Sequence, residues 1–267
     1  MGSSRKPGGR RFNVGRLSTA TDRGTLRDAL AEFLATAIFV FAAEGSTLSL
    51  LLLHHAHGND NAGNKNNQAG LVAVALAHAL ALAGAVASTV NISGGHVNPA
   101  ITFGALLAGD VCLVRSAVYW TAQLLGAVAA SLLLRITTGG VHLPEHALAA
   151  GVEGWHAVAM EAAMAFALMY AYYATAIDPR RTRGGAGPAI AMGLLAGANV
   201  LACGPFDGAV MNPARAFGPA VVGSRRWLNQ WVFWAGPFVG AGLAGLVYEH
   251  LVVTPPGHIQ KPPPTFT

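Results

Sequence analysis

SGGHVNPAITFGALLAG at 93–109 and DGAVMNPARAFGPAVVG at 207–223 each contain an Asn-Pro-Ala triplet, Asn98-Pro99-Ala100 in the first and Asn212-Pro213-Ala214 in the second. Asn is a preferred helix N-cap, Pro suits the first helical position and Ala is the strongest helix former, so each triplet opens a helix. Both helices are short. The apolar pattern stops at Gly109 and at Gly223, which leaves about ten residues, or about 15 Å at ~1.5 Å per residue. Neither crosses a bilayer alone, but two placed tip to tip match a hydrocarbon core of ~30 Å.

Aligned on the triplets, the two stretches also match at Gly94/Gly208, Phe103/Phe217, Gly104/Gly218 and Gly109/Gly223. Upstream, AEFLATAIFVF from Ala31 pairs with MEAAMAFALMY from Met160, each with a glutamate second, Glu32 and Glu161. The chain is one half written twice. With 53% hydrophobic and 11% charged residues, it falls outside the composition of soluble domains. Runs long enough to span a bilayer lie at 30–53, 69–90, 112–134, 155–177, 187–203 and 227–253, three to a repeat.

An odd number of spans per repeat turns the second copy upside down, so the two short helices enter from opposite faces. Non-helical backbone at membrane depth is tolerated only where it is buried in protein or lines a water-filled cavity. The expected fold is therefore an all-α membrane protein with six transmembrane helices and two re-entrant half-helices in an inverted repeat. A channel domain occupies 27–253, with repeats over about 27–136 and 154–253. The tails at 1–26 and 254–267 carry no apolar face and are expected to be mobile.

The net charge of +5 does not mark a nucleic-acid binder, because the basic residues follow topology. Arg5, Lys6, Arg10, Arg11, Arg16, Arg23 and Arg27 precede the first span, and Arg180, Arg181 and Arg183 join the fourth to the fifth. The positive-inside rule places these segments and both termini in the cytosol. Cys112 and Cys203 lie in or beside apolar spans, where a small hydrophobe is a better reading than a disulfide or a metal ligand. No metal site is expected. His54, His55 and His57 fall in a polar, Asn-rich loop that reads as solvated.

Half-helices meeting at mid-membrane point both N-termini, each worth roughly +0.5 of a charge, at one spot. The amide oxygens of Asn98 and Asn212 cap backbone N–H groups, which leaves NH2 donors for the lumen. Water held there can only accept, so its own hydrogens point away along the pore and proton hopping is interrupted. Arg215 follows the second triplet where the first repeat has Ile101. A charge at that depth is costly and marks function. Glu32 and Glu161, at matching positions, are expected to be structural carboxylates that accept hydrogen bonds from the re-entrant backbone.

SGGHVNPAITFG, GPFDGAVMNPARAFGPAVVG and ALAHALAL resemble the major intrinsic proteins, specifically the plant tonoplast intrinsic branch of aquaporins. TAIDPRR at 175–181 resembles its seed-type, or alpha, members. The resemblance implies a passive water channel of the vacuolar membrane that also passes small neutral solutes such as urea, ammonia, hydrogen peroxide and glycerol. It implies a homotetramer with one pore per subunit, lipid as surroundings, and no cofactor. It assigns the selectivity filter to His78, Val200, Ala209 and Arg215, with His146 as a further member. Ala216 stands where glycerol facilitators carry Asp, which argues against a dedicated glycerol channel. The rival reading is a secondary transporter, which also uses inverted repeats and broken helices. A membrane enzyme has no nucleophile-base or metal-spaced set in its favour.

Overall fold

The computed structural model describes residues 12–56, 63–144, 146–178, 185–224 and 227–253. Its α-helices are α1 (Arg23–Ala56), α2 (Gly63–Thr89), α3 (Pro99–Leu107), α4 (Leu113–Thr137), α5 (Gly154–Tyr172), α6 (Gly187–Asp207), α7 (Pro213–Pro219) and α8 (Val232–Val247). Among the described residues, six helical segments are long and apolar enough to cross a membrane, beginning with Arg23–Leu53 and ending with Val232–Val252. The two short ones, α3 with 9 residues and α7 with 7, start at the prolines of the triplets. Leu and Ile side chains along α1, α2, α4 and α6 face outward, as helices do when lipid rather than water surrounds them.

Helices pack in matching pairs, α1 against α4 and α5 against α8, with α2 against α6 between the halves. Small residues let these backbones touch. A Cβ at Gly126 of α4 would lie 2.4 Å from the Phe33 carbonyl oxygen of α1, and one at Gly240 of α8 would lie 1.9 Å from that of Ala162 in α5. Without a hydrophobic drive between helices in lipid, such close van der Waals contact is what holds them together.

The half-helices are tied into this frame. α3 packs on α8, and α7 packs on α4, so each rests on the last helix of the opposite repeat. α7 is shorter than its twin because Pro219 lies inside it and the chain continues as a wider π turn over Ala220–Ser224. A proline within a helix removes a backbone donor.

Two boundaries move. Within the stretch read as an N-terminal tail, 1–26, Leu17–Thr21 forms a 3-10 turn and α1 begins at Arg23. The Asn13 and Val14 carbonyls accept the Leu113 and Val114 N–H groups at 2.9 and 3.1 Å, satisfying the first orphan donors of α4, whose cap residue Cys112 supplies no side-chain bond. The last span begins later than 227, since 228–231 is a turn and α8 starts at Val232. Arg180, Arg181, Arg183, His57 and residues 254–267 lie outside the described residues.

Candidate functional site

The two triplets meet at the middle of the fold. Asn98 Oδ1 accepts the Ala100 N–H at 2.8 Å and Asn212 Oδ1 accepts those of Ala214 and Arg215 at 3.0 and 3.4 Å. Each amide nitrogen then reaches across: Asn98 Nδ2 donates to the Met211 carbonyl and Asn212 Nδ2 to the Val97 carbonyl, both at 2.9 Å. Sequence reasoning left both hydrogens of each NH2 to the lumen. One of the two is instead used to lock the half-helices to each other, and one per asparagine is left over.

The carbonyls that receive these bonds point inward because the residues carrying them are bent backward. Val97 and Met211 have φ of 58° and 57°, a left-handed conformation that is a genuine outlier for a branched or bulky side chain. Strain of ~1–3 kcal/mol per residue persists only where surroundings impose it. Here a buried carboxylate does so in each half. Glu32 accepts the His96 and Val97 N–H groups at 2.9 and 2.6 Å, and Glu161 those of Val210 and Met211 at 2.6 Å each.

The first half adds a network of its own. Ser93 Oγ and Gln123 Nε2 also donate to Glu32, at 2.6 and 2.9 Å. His96 Nδ1 lies 2.9 Å from Thr102 Oγ1, with its ring 5.4 Å from those of Tyr119 and Tyr172. His96, Tyr119 and Tyr172, with Asp28 and Arg115, line a cavity of about 440 Å³. Arg115 pairs with Asp28 and lies over the Tyr119 ring at 5.6 Å.

The second half adds a different one. Arg215 is buried, and its Nε donates to Glu44 Oε1 at 2.7 Å, while Nη1 donates to the Ala209 carbonyl at 2.7 Å. Ala209, φ 45°, is held by its N–H on Asp207 Oδ1 at 2.8 Å. His78 uses Nδ1 on the Val74 carbonyl at 2.8 Å, and its buried Nε2 has no partner among the described residues. His146 sits with Nε2 3.5 Å from Glu44 Oε1 and its ring edge-on to Phe233. His78, His146, Val200 and Arg215 line a second cavity, of about 550 Å³. Thr47 lines this one and Asp28 the other; along α1 they are about 28 Å apart at ~1.5 Å per residue, so the cavities open toward opposite faces.

All the residues expected at the site therefore converge, and Ala209 takes part through its backbone. Glu44 is the residue that sequence reasoning left without a role. Arg215 is a cation at membrane depth and needs a carboxylate; of the others in the spans, Glu32 and Glu161 are matched to each other by the repeat, and Glu249 lies near the end of the last span, where it accepts from Tyr173. Among the described residues no group of His, Cys, Asp and Glu could hold a metal ion.

The family model described as Major intrinsic protein matches residues 19–248. The chain is 64% identical over 245 residues to Aquaporin TIP3-1 of Zea mays, covering 92% of this chain and 90% of that one. It is 49% identical over 253 residues to Aquaporin TIP1-2 of Musa acuminata, with 95% and 97% covered. Among solved structures, the X-ray structure of the aquaglyceroporin from Plasmodium falciparum superposes with a TM-score of 0.66 at 20% identity, covering 85% of this chain and 97% of that one. That last likeness concerns the fold.

Proposed function

The chain belongs to the major intrinsic protein family, and from that premise we propose that it is a passive water channel of the vacuolar membrane that also admits small neutral solutes. The observation that carries this reading is the reciprocal pair of bonds from Asn98 to Met211 and from Asn212 to Val97. It fixes two helix N-termini and two remaining amide N–H donors at one mid-membrane point. Water there accepts from both amides and cannot pass a proton along, while the positive helix ends repel cations. Of the two cavities, one is lined by His96, two residues before Asn98, and the other by Arg215, three residues after Asn212.

His78, Val200, Ala209, Arg215 and His146 form the selectivity filter in this reading. Glu32 and Glu161 are structural carboxylates that hold the re-entrant backbone. Their use on backbone N–H groups also weakens the transporter alternative, which needs a mid-membrane group free to bind an ion or shuttle a proton. The channel works as a homotetramer, both termini lie in the cytosol, and the chain stands with the seed-type members of its branch.

Swelling of proteoliposomes in an osmotic gradient, with no ion gradient imposed, tests the channel. Water flux well above the lipid background is expected, and none above it would sink the reading. In the same assay Arg215→Val is expected to keep water flux within about threefold, a barrier change under ~1 kcal/mol, and to admit larger neutral solutes. Unchanged selectivity would remove Arg215 from the constriction.

A further inference from the structure

Among the described residues, Glu44 is the acidic side chain bonded to the buried Arg215, and the repeat does not explain it. The alignment that matches Glu32 with Glu161 puts Tyr173 opposite Glu44, and Tyr173 donates its hydroxyl to Glu249 at the far end of α5. Glu44 thus belongs to the second-half filter although it stands on the first helix. It reaches α7 from α1, 171 residues away in sequence.

We propose that Glu44 is a positioning residue for the filter: it anchors the Arg215 guanidinium to α1 and so sets which neutral solutes the constriction admits. This rests on the channel reading given above. Arg215 has two polar supports that differ in kind. Nη1 binds the loop carbonyl of Ala209 at 2.7 Å, with Gly208 and Val210 more distant at 3.3 and 3.4 Å. Those bonds fix only one end of the planar group. Nε binds Glu44 at 2.7 Å, and a charge-assisted bond at the base of the fork fixes its direction. Without it the guanidinium turns about the Nη1 contacts into the space it shares with His78 and Val200.

The pair also changes the electrostatics of the filter. Both partners are buried, with side-chain exposures of 3% for Arg215 and 1% for Glu44, so solvent screens their attraction little. The carboxylate cancels the guanidinium charge locally. Repulsion of cations then falls mainly to the helix N-termini at Asn98 and Asn212, and Arg215 acts on neutral solutes through its donors and its bulk. Glu44 Oε2 has no partner among the described residues, and His146 Nε2 lies 3.5 Å from Oε1. One carboxylate oxygen on α1 thus lies within 3.5 Å of both Arg215 Nε and His146 Nε2.

The test compares wild type, Glu44→Leu, Glu44→Gln, Arg215→Val and the double variant Glu44→Leu/Arg215→Val in proteoliposomes, reading water flux and the formamide, urea and glycerol fluxes relative to it. Glu44→Leu is expected to lower the urea-to-water ratio at least threefold with water flux changed less than twofold. Glu44→Gln keeps an oxygen acceptor for Nε and is expected to restore the wild-type ratio. The double variant is expected to match Arg215→Val, because Glu44 acts only through the arginine. A Glu44→Leu effect that persists without Arg215, or equal ratios in all variants, would overturn the assignment. So would a wild type that passes water but none of the three solutes. A purely structural Glu44 would lower the yield of folded protein and leave the ratios per channel unchanged. Absence of water flux in wild type would instead overturn the channel reading, and this assignment with it.

Discussion

The two half-channels differ in where each keeps its polar side chains. In the first, Glu32 receives four donors, from His96, Val97, Ser93 and Gln123, and the half-helix carries Ile101. In the second, Glu161 receives two, from Val210 and Met211, Asp207 stands in the place of Ser93, and the half-helix carries Arg215. The serine hydroxyl donates to the supporting carboxylate; Asp207 turns its Oδ1 to the Ala209 N–H instead. In the first half the polar groups both fix the backbone and, with Asp28, Ser93, His96 and Arg115, line a cavity. In the second, Arg215 stands where the first has Ile101 and lines the other cavity beside His78 and His146. Duplication supplies the frame, and divergence at matched positions makes the two cavities chemically different.

The largest expected effect comes from removing the carboxylates one at a time. Glu32→Ala deprives four donors and Glu161→Ala two. At roughly 1.5–3 kcal/mol for each hydrogen bond to a charged group, both variants lose several kcal/mol and Glu32→Ala loses more. Thermal unfolding in detergent is expected to find no folded Glu32→Ala and a destabilised but folded Glu161→Ala. Equal losses would break the comparison, since they would make the additional donors of the first half idle.

Next come the helix crossings. Gly240→Ala forces a methyl group to 1.9 Å from the Ala162 carbonyl oxygen and Gly126→Ala to 2.4 Å from that of Phe33. Overpacking of this kind costs about 1–3 kcal/mol, and Gly240→Ala is expected to show the larger fall in melting temperature. The reverse order would mean that the α1–α4 crossing is the stiffer of the two.

The smallest effect on stability, and the sharpest on function, is expected at the asparagines. Asn98→Ala and Asn212→Ala each lose a helix cap, worth about 1 kcal/mol, and a bond across the centre. Because the bonds are reciprocal, the two variants should lose similar stability and admit similar proton leak, read with a pH-sensitive dye trapped in the vesicles. Leak confined to one variant would show that the centre is not symmetric in action, whatever its geometry.

Much of this was legible in the chain. The paired triplets gave the half-helices, their inversion gave the mid-membrane meeting point, and the position of Glu32 and Glu161 second in matching stretches anticipated carboxylates against re-entrant backbone. What was missed has a common cause. The docking of Asn13 and Val14 on α4 is made by backbone carbonyls, which no side-chain pattern announces. The cross-bonds of the asparagines depend on Val97 and Met211 adopting φ near 57°, against the preference of both residue types. The bond between Glu44 and Arg215 joins residues from different repeats.

The sequence by itself determined the number of spans, their inversion and the residues that stand at the ends of the half-helices, because period, caps and duplication are local and are written in residue order. The tertiary structure alone decided how the leftover polar atoms pair: which amide hydrogen crosses the centre, which carbonyl turns inward, and which carboxylate holds the arginine. Away from the cavities, where no water reaches, such an atom must find its partner inside the protein, and which partner lies within 3 Å is set by how helices distant in sequence are packed together.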